Sequence, residues 1–538
     1  MLPLRAMHLS TPAKFFFRLF WAAMLAAVTA GIPACFDASP ARPGEKVLKI
    51  ALRSEPPTLD PSLATDNVSF DILTNLMEGL TQYDAQLRPV PAIAKSWTVS
   101  PDGRTITFHL REDARWSDGV PVRAQDFEYS WKRLLNPETA AEYAYFLFDI
   151  ENAQEYNTGR LTDPGRVGVK ALADTVLQVR LKRPVVYFPS LTTFMVTAPL
   201  RRDIIERYGD RWTDPENMVT NGPFLLKRWR HEYKLVLEAN AGYYGGRPPL
   251  DRVQIFLVRD PATELTLYET GELDLTALPP VAIPQYRDHP EFHNLPLLRG
   301  YYYGFNVTQP PFDRPQVRRA LAHAIDRSRF PVILKGEERP TASWIPPGMF
   351  GYNPNIGPRF DPVKARQLLA AAGYPEGRGF PSFPITYNTD RTNQLIAQYI
   401  QAQWRKHLHL QVTLEEMEWK VFLSRLKVDP PPVFRLGWGA DFPDPDNFMN
   451  LFTSFSGNNN TRWANPRYDA LIAQGAAEPD PARRQAIYDA AQRLLTETGV
   501  PIISLFITTQ SLLVKPYLQG FQLNAMELLY LKRIRLER

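Results

Sequence analysis

The chain has 538 residues, 44% hydrophobic and 22% charged, with a formal net charge of +5; this is core material for roughly two to four globular domains. Arg5, Lys14 and Arg18 belong to residues 1–34, which carry no acid, and without them the 62 basic side chains become 59 against 57 acidic. A nearly neutral remainder with no basic run excludes a nucleic-acid partner.

Lys14 and Arg18 precede an apolar run from Leu19 to Gly31, so residues 1–34 read as a signal peptide. That run is shorter than the ~20 residues a membrane span needs, and no later segment is long and apolar enough. Cys35 is the single cysteine, which excludes an internal disulfide. Ile32-Pro-Ala-Cys35 resembles the lipobox of bacterial lipoproteins, with Cys35 as the lipidation site; the alternative is an incidental thiol lost with the leader. Residues 35–46 are polar and proline-rich, as a disordered tether would be. The protein is expected to be exported, periplasmic or at the cell surface, and held to the membrane only through its N-terminal lipid anchor.

Further along, Val68, Ile72, Leu76, Met77 and Leu80 recur at helical spacing after Asp66, a helix N-cap. Ile106, Phe108 and Leu110 alternate with polar residues and predict a half-buried strand. Leu177, Val179 and Leu181, then Tyr233, Leu235 and Leu237, then Val253, Ile255 and Leu257 repeat the pattern. Val317, Leu321, Ala324 and Ile325 share a helical face, and Gln394 to Lys406 read as another helix. Asp361-Pro362 and Asp480-Pro481 open further helices, the first closing at Gly373 and the second near Gly499. Mixed strands and helices without repeats predict α/β lobes, and the 50 prolines, against an ordinary ~5% share, predict stiff irregular connections.

Enzyme equipment is missing. No phosphate loop, G-x-S-x-G elbow or H-E-x-x-H motif occurs. His407 and His409 are two apart and would not share a helical face; His289 and His293 lie in a proline-bounded loop, so neither pair is read as metal ligands. No catalytic residue, metal or cofactor is predicted. The segment Arg435-Leu-Gly-Trp-Gly-Ala-Asp-Phe-Pro-Asp-Pro-Asp-Asn-Phe448 instead places Asp441 between a tryptophan and a proline-stiffened turn. A carboxylate so fixed suits capture of a cationic amine.

Several segments carry a resemblance to a known family. They are Ser54-Glu-Pro-Pro-Thr-Leu-Asp-Pro61, Ala94-Lys-Ser-Trp97, Phe108 to Gly119, Asp126 to Arg133, Thr220 to Phe224, Tyr301 to Asn306, Pro311 to Asp313, Val317 to Leu321 and the Trp438 segment. In this order they resemble the bacterial extracellular solute-binding proteins of family 5, above all the oligopeptide-binding proteins of ABC transporters. The resemblance implies an α/β, two-lobed, periplasmic-binding-protein-like fold (type II, cluster C) with an extra inserted domain. Residues 47–67, 190–295 and 507–538 would form domain I, 68–189 domain II and 296–506 domain III. A monomer would take an extended peptide in the interlobe cleft and pass it to the permease subunits of an ABC importer. Alternatives on the same fold are dipeptides, murein peptides, oligosaccharides, opines or a nickel chelate; a hydrolase using cleft carboxylates is the rival of another class.

By the same resemblance Asp441 would pair with the ligand's α-amino group, the rival reading being a cap on the Pro443 turn. Arg435 and Gly437 would join that cleft, and Trp438 and Tyr129 would line it from facing lobes. Glu55 to Thr58, with Pro57 accepting through its carbonyl, would supply a strand-like edge for β-augmentation. Lys335 matches a basic position, and one of Tyr301 to Tyr303 would face ligand. Two charged groups that receive a peptide carboxylate in a compared member are replaced by Leu426 and Asn393, and a disulfide of some members by Arg299 and Gly439. Trp116 is read as packing, and Asp444 and Asp446 as turn residues.

Overall fold

A computed structural model describes residues 44–538. The expected leader over 1–34, the lipidated Cys35 and most of the 35–46 tether lie outside the described residues. From Lys46 onward the chain forms one compact unit, and no described helix is long and apolar enough to cross a membrane.

Two four-stranded sheets share one hydrophobic core. In the first, Val47–Leu52 pairs in parallel with Arg252–Leu257, which continues antiparallel through Lys234–Ala239 to Phe224–Arg230. In the second, Ala94–Val99, Thr105–Leu110, Val176–Arg180 and Val169–Ala173 are antiparallel throughout. The period-two pattern decides which face is buried: Ile106, Phe108 and Leu110 point into the core while Thr105, Thr107 and His109 stay half-exposed. Tyr233 falls just outside its strand and is exposed. The helix Asn67–Leu76 starts at Asp66, whose carboxylate accepts from the Ser69 amide at 2.9 Å.

The other half is built on a mixed seven-stranded sheet. Tyr301, Tyr303 and Phe305 of the strand Phe292–Phe305 enter the core beneath the helices Pro315–His323, Pro362–Ala371 and Arg391–Leu408. Tyr302, pointing the other way, enters the core shared with Trp419–Val428, Pro466–Ala477 and Pro481–Arg493. Asp361 and Asp480 cap their helices, each with proline at the first position. Pro481–Arg493 passes into a wider turn, Leu494–Gly499, which ends near the expected residue.

The strands Phe292–Phe305 and Ile502–Val514 run antiparallel for most of their length. At one end Phe292 and Leu513 join a small cluster with Tyr268 and Leu273; at the other, Tyr303 and Ile503 join the core of the seven-stranded half. Between these ends the register shifts from Pro296 to Gly300, where proline offers no ladder donor.

One expectation changes: His293 lies within Phe292–Phe305, paired opposite Leu512, not in a loop. His407 packs edge-on against Phe360 while His409 ends its helix beside Glu376, 3.2 Å away, so the two rings serve separate surroundings.

Candidate functional site

The strand Val433–Gly439 lies beside Phe292–Phe305, with Tyr301 opposite Gly437, Gly300 opposite Trp438 and Arg299 opposite Gly439. After it the chain turns through Pro443 into the helix Pro445–Met449, capped by Asp444, which accepts from the Asp446 amide at 3.0 Å. Arg484 fixes that cap through a buried 2.7 Å ion pair with Asp444. The turn is thus closed by Asp444, and Asp441 is released from the capping role.

Asp441 instead faces the other half of the molecule. Its Oδ1 accepts from the Tyr143 hydroxyl at 3.3 Å and its Oδ2 from Tyr145 at 3.4 Å. Asn447 donates its amide nitrogen to Oδ2 at 3.3 Å and accepts both the Asp441 backbone amide, at 3.2 Å, and the Trp438 indole, at 2.9 Å. Next to it Phe442 stacks on Tyr187 with ring centres 5.1 Å apart and meets Phe146 edge-on. Burial pushes the Asp441 carboxyl above its usual range, and the three neutral donors only partly offset this. Burial and then the nearby Asp441 charge push both tyrosine hydroxyls upward. Among the described residues no cation reaches the carboxylate. Asp441 lines a cavity of about 360 Å³ with Trp438, Tyr145, Asn447, Asp446 and Asp149. Among the described residues this half-buried carboxylate is met only by long, neutral hydrogen bonds, an arrangement with room for a charged donor.

Arg435 belongs to a second polar group within the seven-stranded half. Its guanidinium lies 4.7 Å over the Tyr301 ring and donates to Asn388 Oδ1 at 3.0 Å, while its Nε is buried without a partner. Tyr301 donates to Asn393 Oδ1 at 2.8 Å, and Asn393 donates to Asn388 Oδ1 at 3.0 Å. Sequence thus named Arg435, Tyr301 and Asn393 separately, and the fold brings them together through Asn388. Leu426 is core, and its neighbour Arg425 is occupied by Glu415 at 3.2 Å.

Other expected residues stand apart. Tyr129 lines a different concavity with Arg202 and Tyr156, so Tyr143 and Tyr145 are the aromatic groups facing Asp441. The strand Val47–Leu52 ends before Glu55, and residues 53–58 are irregular, not strand-like. The Glu55 carboxylate turns onto its own half, accepting from Trp229 at 2.7 Å and the Glu232 amide at 3.1 Å and lying 2.7 Å from His231. Pro57 is exposed, and Lys335 is an exposed left-handed residue ending the helix Phe330–Leu334. Trp116 is packed as expected, donating to Asp126 at 3.0 Å. Tyr143, Tyr145 and Asn447 were not singled out: Tyr143-Ala-Tyr145 looks like any aromatic pair until Glu142–Leu147 winds as a tight 3₁₀ turn.

Residues 88–460 match the family model for bacterial extracellular solute-binding proteins, family 5. The oligopeptide-binding protein OppA of Bacillus subtilis is 34% identical, with 89% of this chain and 90% of that protein covered. The probable deoxycholate-binding periplasmic protein YgiS of Escherichia coli is 32% identical, with 91% and 93% covered. A structure of Haemophilus influenzae OppA in complex with RPPGFSPFR superimposes with a TM-score of 0.75 at 31% identity, covering 92% of this chain and 99% of that one. The chain belongs to the bacterial extracellular solute-binding proteins of family 5.

Proposed function

We propose that this protein is an extracytoplasmic receptor that captures extended peptides by their free amine at Asp441 and delivers them to the permease subunits of an ABC importer. The observation that carries the reading is the Asp441 carboxylate, set between the two halves and met, among the described residues, by Tyr143, Tyr145 and Asn447 alone. An ammonium entering the cavity would form charge-assisted bonds stronger than those neutral ones. A deoxycholate-like anion would set its own carboxylate against Asp441, so site chemistry favours the peptide over that relative's named ligand. The register shift in the two long strands, at 296–300, supports a hinge between domains I and III with the expected boundaries. The Cys35 anchor, the monomeric state and the absence of catalysis complete the reading.

Calorimetry with a mixed series of tri- to pentapeptides tests it. Binding that survives purification and returns the peptide intact is expected; consumption of the peptide would favour a hydrolase, and no binding at all would favour another solute.

A further inference from the structure

Apart from the Asp441 cavity, the half built on the two four-stranded sheets holds a second hole of about 250 Å³, roofed by residues 521–531. Its wall is mostly aliphatic, with Ile50, Leu52, Ile72, Leu275 and Leu529 among the lining residues. Three carboxylates and one arginine also line it. Glu264 is satisfied by Arg53 at 3.0 Å and by the Thr276 hydroxyl at 2.9 Å. Glu527 is satisfied by Arg299 at 2.6 Å. Asp71, on the helix Asn67–Leu76, is different: among the described residues its side chain has no hydrogen-bond or ion-pair partner, and the charged groups it feels, Glu527 and Asp66, are both acidic. The charges around the hole therefore leave Asp71 as the one carboxylate of its lining without a partner. A mostly aliphatic lining with one unpaired acid suits a methylene stem that carries an ammonium.

The hole also adjoins the Asp441 segment. The Ala440 amide donates to Leu298 O at 2.8 Å, and the Leu298 amide donates to Ala525 O at 2.7 Å, so one residue separates that segment from the roof.

We propose that this hole is a side-chain subsite that takes a lysine-type side chain of the bound peptide, with Asp71 receiving the ammonium. The assignment rests on the peptide reading of the Asp441 cavity. Burial first, then Glu527 and Asp66, push the Asp71 carboxyl up to about 8, so at pH 7 the empty subsite holds a proton that an incoming ammonium displaces.

The test uses trialanine with lysine, or norleucine, which keeps the four-carbon stem without the ammonium, placed in turn at each of the three positions. Binding is measured by calorimetry at pH 7 in two buffers of different ionisation enthalpy. At one position the lysine peptide is expected to bind about tenfold tighter than the norleucine peptide and to release a proton. In Asp71→Asn, checked for a parental melting temperature, that ratio falls towards one and the proton release disappears. Equal affinities at all three positions, with peptides still binding, would overturn the subsite and leave peptide capture standing. Persistence of the ratio in Asp71→Asn, or lysine binding to the parent without proton release, would also overturn it. Failure of every peptide to bind the parent would remove both readings together.

Discussion

The Tyr143 hydroxyl, carried by the sheet half that holds Glu142–Leu147, reaches across to Asp441 of the seven-stranded half at 3.3 Å. Tyr143 is itself held by Phe70, Phe146 and Phe194, so the donor is positioned by an aromatic cluster. Tyr143→Phe should weaken amine-peptide binding by about 1 kcal/mol, the ordinary worth of one hydrogen bond, and lower the melting temperature of the free protein, which makes the same bond. Isothermal calorimetry and thermal unfolding on the same preparation check both parts.

The same pair sets an acid limit. Amine capture needs Asp441 ionised, and burial raises its carboxyl above the usual range. Affinity should therefore fall on acidification at a higher pH than the ~4 of an exposed aspartate. Tyr143→Phe removes a donor to the ionised form, so it should move this limit further upward. A titration of affinity from pH 7 to pH 4 in both proteins reads the difference.

Asp446 sets a limit of the opposite sense. It lies two residues after the Asp444 cap, fully buried against the other half, and its Oδ1 has no partner. Burial, then Asp444 and Asp149, push its carboxyl up to about 7, against the opposing pull of Arg183 and a Tyr187 hydrogen bond. A raised carboxyl favours the folded form while protonated. That contribution is present at low pH and is lost as the pH rises through about 7. Melting temperature should drop between about pH 4, where an unfolded aspartate titrates, and about pH 7, then level off, and Asp446→Asn should flatten the drop.

Arg484 holds the turn that aims Asp441. It donates to Asp444 at 2.7 Å and to Gly475 O at 2.8 Å, and its guanidinium lies 5.2 Å from the Tyr488 ring centre. Arg484→Met leaves Asp444 buried without its charge partner and should destabilise the protein by about 3 kcal/mol. Urea denaturation measures the loss, and peptide affinity should fall with it because the 441–447 turn loosens.

Arg299 and Gly439 stand directly opposite each other in the paired strands, at the place where the family resemblance implies a disulfide in some members. A side chain on Gly439 would meet Arg299 Nε at 3.3 Å, so the arginine has taken the space. Arg299→Cys with Gly439→Cys should form a disulfide on oxidation and raise stability by about 2 kcal/mol, read as a reductant-sensitive melting temperature.

Much of this fold was legible because one-sided burial writes itself into the sequence. Asp66, Asp361 and Asp480 announced helix starts, and the Ile106–Leu110 alternation announced a buried strand face. The register of Arg299 on Gly439 was legible only through resemblance, since nothing local links residues 140 positions apart. Tyr143, Tyr145 and Asn447 were not legible because their chemistry arises only when two distant segments meet. Glu55 and Pro57 were placed by analogy with an extended edge, where residues 53–58 are bent, and Tyr129 by analogy with a cleft-lining aromatic, where it lines a different concavity. Asp71 was not singled out, because nothing near it in the chain shows that residues 521–531 line the same cavity.

The most direct measurement compares one tripeptide with its N-acetylated form, by calorimetry, on the parent and on Asp441→Asn. Acetylation and the substitution should each weaken binding by on the order of 100-fold, and together little more, because both remove the same charge pair. Equal binding of the free and acetylated peptides to the parent would contradict amine capture at Asp441.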